Sequence, residues 1–327
     1  MKAVYVKEFG GPDDLEYREI PDPPNPQGKQ VLLRVKAAGV NRADLLQVKG
    51  HYAPPPGYSP RMPGLEFAGE VAEVGPDVDT VSIGDRVFGI TAGEAQAEYL
   101  VIEQSLLAQI PDHLSCAEGA AVPEVFVTAH DALFTQARLA KGESVLVHAV
   151  GSGVGLAALQ LAKATGCRVF GTSRTQDKLD RCAEFGLDVP IIAADAKFSE
   201  IVKKNTNDEG VSVILDLVGG SYFYENLASV AIKGRLMLVG LTGGRSAKFD
   251  LGIALHKRLT IKGTVLRARS IEEKAEAMRA FKKDVVPLLA QNIVRPNLDK
   301  VFPAPEVVDA YNYLSSNESF GKVVLEF

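Results

Sequence analysis

The stretch VHAVGSGVG, Val147 to Gly155, constrains this chain more than any other. The run before it, SVLVH, reads as a buried strand, and the run after it, LAALQLAKA, as a helix. Between them Gly151, Gly153 and Gly155 fall at every second position. A strand, a glycine turn and a helix in that order make an anion site. The helix start offers unpaired N–H groups and the positive end of its dipole, and glycines let the backbone approach a pyrophosphate. On this reading Gly151, Ser152, Gly153 and Val154 meet the phosphates of a dinucleotide. The literal G-x-G-x-x-G is absent, so a glycine turn without a ligand stays open on the motif alone.

The surroundings have the matching rhythm. From about Ala120 onward apolar runs alternate with amphipathic segments: SVLVHA, CRVFGTS, VPIIAA, GVSVILDLVG, GRLMLVGL and LTIKGTVL as strands, VGLAALQLAKATG, TQDKLDRCAEFG and FSEIVKKNTN as helices. Short apolar runs between amphipathic helices imply a doubly wound α/β parallel sheet covered on both faces. The first third differs. AVYV, QVLLRVKAAGV, EFAGEVAEVG and AEYLVI read as short strands, broken by the turn-rich PDPPNPQGK and YAPPPGYSPRMPG. The C-terminal part reads as one helix, IEEKAEAMRAFKKDVVPLLA, and a final strand, FGKVVLEF, that returns to the first domain. The division expected is 1–122 for a mostly-β domain, 123–265 for the nucleotide domain, and 266–327 for a return segment completing the first.

The second strand of the alternation tells which dinucleotide. An NAD site usually carries an acid about 20 residues past the loop, for the ribose 2′-hydroxyl. Here the strand ends GTSRTQDK, with no carboxylate at Gly171, Thr172 or Ser173. Ser173, Arg174 and Lys178 suit a 2′-phosphate, which a carboxylate would repel. NADPH is therefore the expected cofactor, the alternative being that Arg174 and Lys178 form a solvated face.

Bulk properties exclude several classes. A net charge of -5 argues against general nucleic-acid or anionic-membrane binding. Cys116, Cys167 and Cys182 are too scattered for a disulfide framework or a zinc cluster and fit a reducing compartment. The N-terminus has early acids and no long apolar core, and no run of about 18 apolar residues exists. The expectation is a cytoplasmic protein with no membrane partner.

Several segments in fixed order carry a resemblance: GVNRADLLQ, YAPPPG, PGLEFAGEV, IGDRVFG, KGESVLVH with SGVG, GVSVILDLVGG, GRLMLVGLTGG and FGKVVLEF. End to end, the chain resembles the medium-chain dehydrogenase/reductase superfamily, and within it the quinone oxidoreductases related to zeta-crystallin. NRADL-Q, Y-x-PPPG and L-R-x-R are most similar to the tumour-suppressor-inducible subgroup. The resemblance implies a Rossmann-type domain plus a GroES-like catalytic domain, and a homodimer in which LTIKGTVL extends a sheet across a two-fold axis.

The same superfamily contains zinc alcohol dehydrogenases. Where those place a cysteine ligand this chain has Asn41, and where they place a histidine it has Leu65. Glu66 alone cannot hold zinc, which needs about three protein ligands. The cysteine-rich lobe is replaced by FGITAGEAQAEYL, and His51, His113, His130, His148 and His256 show no ligand spacing. His148 reads as a hydrogen-bonded core residue. No metal is expected. Alcohol oxidation leans on zinc as a Lewis acid, whereas an electron-poor quinone or enone accepts hydride more readily. The reaction expected is zinc-independent quinone reduction by NADPH. An enone or enoyl-thioester reductase and a non-catalytic NADPH-binding protein are the alternatives.

The resemblance sets Asn41, Asp44 and Gln47 beside nicotinamide and substrate, with Asn41 serving as either a hydrogen-bonding group or a helix cap. Tyr52 is the candidate proton donor or ring-stacking partner, with packing on the prolines as the alternative. Thr128 resembles a threonine at the nicotinamide ribose, against a hydroxyl bonded to its own helix. Gly219 is expected near the adenosine half, and Gly240, Leu241, Leu266, Arg267 and Lys322 near the nicotinamide. For Arg267, Arg269 and Lys322 a solvated surface charge is the alternative. Two departures from the family pattern stand out. Ser173-Arg174-Thr175 replaces alanine-glycine-serine, and Glu94 puts a carboxylate on the substrate side.

Overall fold

The structure, a computed structural model, describes residues 1–327. Its backbone contacts divide it into two compact units, Met1–Val127 with Leu266–Phe327, and Thr128–Val265. No helix is long and apolar enough to cross a membrane.

The second unit is built on six strands in the spatial order Val189–Ile192, Arg168–Ser173, Ser144–Val147, Val211–Asp216, Val230–Leu238, Thr260–Gly263. All neighbours are parallel. Counted along the chain this is order 3-2-1-4-5-6, the doubly wound Rossmann arrangement. Strand order reverses beside Ser144–Val147, so the loop after that strand opens where ligands bind in such sheets. Val145, Leu146 and Val147 are wholly buried, which is why this segment has no polar alternation.

The strand's end is fixed by a buried polar chain. His148 Nδ1 lies 2.9 Å from Thr172 Oγ1 and Nε2 lies 2.6 Å from Asn226 Oδ1. Asn226 donates to Asp216 Oδ2 at 3.0 Å, and Asp216 Oδ1 accepts the amides of Val218 and Gly219 at 2.8 Å each. Burial pushes the His148 pKa down, so the ring is a core hydrogen-bonding group.

The first unit holds a sheet in the order Leu298–Pro303, Lys322–Glu326, Gln30–Val40, Glu66–Val74, Arg86–Ile90, Leu107–Gln109, with Tyr99–Glu103 also on Gln30–Val40. The final strand pairs antiparallel with Gln30–Val40. A hairpin of Lys2–Val6 and Leu15–Glu19 lies beside it, bridged through Ala3 and Ala97. Its core joins Val4, Val40, Leu45, Tyr311 and Val323.

Several expected elements differ. LTIKGTVL is extended only over Thr260–Gly263. The single C-terminal helix is two, Ile271–Asp284 and Val286–Ala290, because Pro287 has no N–H to continue the ladder. AAVPEVFVTAHDALFTQARL is an α-helix only over Pro123–His130 and a π-helix over Asp131–Gln136. A helix absent from the sequence reading, Val307–Ser316, buries Val307, Ala310, Tyr311 and Leu314. Those positions recur every three or four residues, a period the β-branched and aromatic composition obscures.

The glycine loop requires a glycine at Gly155. A Cβ there would stand 2.4 Å from Ala149 O and 2.7 Å from Val150 Cα, both backbone. Gly155→Ala is expected to cost about 1–3 kcal/mol, the usual range for overpacking, and to weaken dinucleotide binding. Chemical denaturation and a fluorescence titration check this, and an unchanged midpoint would show that the loop yields.

Candidate active site

The nucleotide cradle follows from the turn after Ser144–Val147. Ala149 is in the left-handed region (φ 47°) and sets the loop's path. The helix Gly153–Ala164 begins with Ser152 as its N-cap, whose Oγ accepts the Gly155 amide at 3.1 Å. One orphan donor of the first turn is thereby satisfied, and the amides of Gly153 and Val154 remain for an anion. Gly219 holds φ 83°, and a Cβ on it would meet Gly244 O at 2.8 Å; at Gly240 it would meet Leu217 O at 2.6 Å. A second cradle wall therefore needs glycine at both places. Ser173 ends the strand Arg168–Ser173 and is buried, Arg174 is exposed, and Lys178 lies in the first turn of Gln176–Cys182. No carboxylate replaces them at the strand end. These residues fit a dinucleotide. Thr128 belongs to the same unit, and Leu241 is half exposed.

The first unit gathers a polar cluster. Lys322 is 4% exposed and Glu66 fully buried, and Lys322 Nζ lies 2.5 Å from Glu66 Oε1. The ammonium also donates to Asn41 Oδ1 at 2.6 Å and Val40 O at 3.1 Å. Asn41 Nδ2 donates to Glu66 Oε1 at 2.9 Å, and the Glu124 amide donates to Glu66 Oε2 at 2.8 Å. Every polar atom of Glu66 is used. Asn41 is also the N-cap of the helix Arg42–Val48; its backbone amide donates to Asp44 Oδ2 at 2.8 Å, and its side chain bonds both members of the ion pair.

Asp44 and Gln47 do share one buried face of that helix, but they meet protein. Asp44 Oδ1 accepts the Gly64 amide at 3.1 Å. Gln47 donates to Pro60 O at 2.9 Å and accepts from Arg267 Nη2. Both hold the loop before Glu66, which makes them positioning residues. Arg267 completes the frame, donating to Ala92 O at 2.8 Å and to Tyr52 O at 2.9 Å. Its guanidinium lies 4.8 Å from the Tyr52 ring centroid. Leu266, Arg267 and Lys322 thus sit in the first unit, and neither cation is a solvated surface charge. Glu94, at φ 69°, accepts the Ser59 amide at 2.6 Å and braces the proline-rich loop.

Glu124 was not singled out from sequence. It follows Pro123 in the first turn of a helix, where an acid is ordinary dipole chemistry. Nothing local shows that the fold places it against Glu66. Burial, then the neighbouring Glu66 carboxylate, push its pKa up to about 8. Burial likewise raises Asp44 to about 6, against the pull of two amides and of Arg267 and Lys322. Burial raises the Tyr52 phenol too.

Comparison with known proteins agrees with this architecture. The model for "Alcohol dehydrogenase GroES-like domain" matches residues 27–134, and that for "Zinc-binding dehydrogenase" matches 153–283. The chain is 32% identical to quinone oxidoreductase-like protein 2 of Mus musculus, covering 99% of this chain and 91% of that one. It is 31% identical to the quinone oxidoreductase of Rattus norvegicus, over 99% and 97%. The chain belongs to the quinone oxidoreductase family. This family lies within the medium-chain dehydrogenase/reductase superfamily, and the protein is an oxidoreductase that takes a nicotinamide cofactor and small-molecule substrates. Among solved structures it is similar to a Pseudomonas syringae pv. tomato quinone oxidoreductase (TM-score 0.89, 27% identity, 100% and 99% coverage). The CurK enoyl reductase gives TM-score 0.88 at 25% identity over 99% and 98%, and mycobacterial Rv1454c complexed with NADPH gives 0.87 at 28% over 100% of both chains.

The zinc of that family model does not fit the donors present. Asn41, Leu65 and Glu66 stand at the positions concerned, Leu65 is a buried apolar side chain, and the Lys322 ammonium takes up Glu66 and Asn41. No group of three His, Cys, Asp or Glu side chains could hold a metal ion elsewhere.

The raised pKa of Glu124 has a sign in stability. Its unfolded value is near 4.5 and its folded value about 8, so between them the folded state binds the extra proton. Stability therefore falls as pH rises through this window. Glu124→Gln removes the titration, so the variant should gain on the parent by about 3 °C or more in thermal midpoint between pH 5 and pH 8. Parallel melting curves across that range would show that Glu124 ionises normally.

Proposed function

We propose that the protein reduces quinones with NADPH, without zinc, as a cytoplasmic homodimer. The observation that carries this reading is the Lys322 ammonium buried against Asn41 and Glu66. It fills with a fixed cation the ground where a Lewis acid would be needed for alcohol oxidation. When bound, NADPH supplies a hydride. The amides of Gly153 and Val154 bind its pyrophosphate, with Gly151 and Ser152 shaping their approach. Ser173, Arg174 and Lys178 meet the 2′-phosphate, and the NADPH complex of a relative supports that cofactor. Gly219 borders the adenosine half, and Thr128, Gly240, Leu241 and Leu266 the nicotinamide half.

On the first unit, the Tyr52 hydroxyl has no partner in the protein and faces the acceptor as a hydrogen-bond donor. Arg267 fixes its backbone and ring. Asn41 and Lys322 set the local field, while Asp44 and Gln47 hold the frame. Such preorganisation suits an acceptor that needs orientation and a proton rather than strong activation. An enone reductase uses the same groups, and similarity to an enoyl reductase supports keeping that second reading. The edge strand Thr260–Gly263, with the exposed Leu251 and Leu255 on a helix packed against the adjacent strand, supports pairing with a second copy. A solution mass of twice 35.0 kDa checks it, and a monomer would refute it.

Purified protein should oxidise NADPH with 1,4-benzoquinone or 9,10-phenanthrenequinone in the presence of a metal chelator. No turnover with any quinone, despite NADPH binding, would sink this reading, and turnover with enones alone would favour the second. Arg174→Ala should raise the KM for NADPH about tenfold, the worth of roughly 1.4 kcal/mol, and leave that for NADH nearly unchanged. Equal effects on both would remove the 2′-phosphate assignment.

A further inference from the structure

We infer that Asp216 is a positioning residue of the dinucleotide site. Its side chain holds the wall beside the adenosine half, and its main-chain oxygen holds the wall beside the nicotinamide half. The inference rests on the dinucleotide reading above, in which Gly219 and Gly240 belong to those walls. Asp216 is the last residue of the strand Val211–Asp216, which pairs with Ser144–Val147, and the strand order of the sheet reverses between these two. Ligands of such sheets bind in the crevice beyond the strand ends at that reversal. Asp216 stands at the root of the crevice and is wholly buried, so it acts through the backbone it holds rather than by touching a ligand.

Two sets of bonds carry the assignment. Asp216 Oδ1 accepts the amides of Val218 and Gly219 at 2.8 Å each, and Gly219 is held at φ 83°. The Asp216 main-chain oxygen accepts the amides of Val239 at 2.9 Å and Gly240 at 3.1 Å, just past the neighbouring strand Val230–Leu238. The two turns are then zipped to each other. The Gly243 amide donates to Val218 O at 2.7 Å, the Gly220 amide to Gly244 O at 2.9 Å, and the Ser221 amide to Gly243 O at 3.1 Å. The Thr242 hydroxyl adds a bond to Leu217 O at 3.1 Å. Both turns thus hang from one residue, by different atoms of it.

The rest of the polar chain aims its donors the same way. Asn226 Nδ2 donates to Asp216 Oδ2 at 3.0 Å, which leaves Asn226 Oδ1 to accept from His148 Nε2. His148 Nδ1 then accepts from the Thr172 hydroxyl. The carboxylate therefore takes three N–H donors, and bonds to a charged acceptor are roughly twice as strong as those to a neutral one. An aliphatic side chain would fill this core position without the cost of burying a charge. It would also leave the amides of Val218 and Gly219 and the Asn226 side chain without this acceptor. Holding that turn is what the carboxylate does and an aliphatic group does not. Changing the side chain spares the main-chain oxygen, so the adenosine wall loosens while the Gly240 turn keeps its bonds to residue 216.

Asp216→Asn keeps the shape and removes the charge. It should raise the Kd for NADPH, NADH and adenosine monophosphate alike by about tenfold, the worth of one charge-assisted hydrogen bond. Calorimetric titration of the whole protein reads all three. Adenosine monophosphate reaches only the adenosine half, so its loss locates the effect there. At saturating NADPH kcat should fall far less, the split expected when binding is lost rather than the chemical step. Hydrogen exchange at the Val218 and Gly219 amides should quicken. Asp216→Asn combined with Asn226→Asp puts the charge back one place along the chain. The new carboxylate at position 226 accepts from His148 and from the new amide at position 216, whose oxygen keeps the two turn amides. This double variant should recover most of the lost affinity. Parental Kd values in Asp216→Asn, with or without a lower thermal midpoint, would make Asp216 a packing residue and overturn the inference. So would adenosine monophosphate binding unchanged while both dinucleotides weaken, a loss of kcat with Kd intact, or a double variant that binds no better than the single one. A parent that binds neither dinucleotide would sink the reading beneath the inference as well.

Discussion

One buried charge pair organises the first unit. An ammonium and a carboxylate taken out of water cost several kcal/mol each, and their attraction repays this only when the remaining hydrogen-bonding capacity is filled. Lys322 and Glu66 meet that condition through Asn41, Val40 and the Glu124 amide. Meeting it requires the last strand of the chain to pair with Gln30–Val40, which brings residue 322 to residue 41. The same pair determines the chemistry around it. It uses up the donors that a metal would want. It also fixes a carboxylate beside Glu124, which then keeps its proton.

The second unit solves a comparable problem with a chain of buried polar side chains. The chain from Thr172 through His148 and Asn226 to Asp216 links three neighbouring regions of the parallel sheet. Asp216 then bonds the amides of Val218 and Gly219 at the turn that carries one cradle wall. A fully satisfied buried network is rigid because each member loses a partner if any one moves. The glycine loop and the Gly219 turn are thereby held by one set of bonds. The geometry of the loop is thus set by polar side chains away from the amides of Gly153 and Val154.

What the sequence discloses follows its physics. The parallel sheet was legible because apolar strands and amphipathic helices differ in period, and the tight turn after Ser144–Val147 because its glycines mark backbone approach. Asn41, Leu65 and Glu66 were legible as a failed zinc site by resemblance. The binding of Glu66 to Lys322 was not, since a pairing across 256 positions leaves no local trace. Glu124 was hidden for the opposite reason: its local role, an acid in a first helical turn, was already sufficient. The helix Val307–Ser316 was missed although its apolar positions repeat correctly, because Val-Val and two tyrosines lower helix propensity and tertiary burial overrides it.

The charge balance of the cluster shows what keeps a proton on Glu124. Around Glu124 stand three cations, Lys322, Arg267 and Lys274, and two carboxylates, Glu66 and Asp44. While Glu124 holds its proton the cations exceed the anions by one. Giving the proton up brings the signs level, so ionisation creates no net negative charge in the cluster. What opposes ionisation first is desolvation, with the Glu66 carboxylate second. The fixed cations reduce that opposition without cancelling it, so the balance of desolvation and the two carboxylates still holds the proton on Glu124.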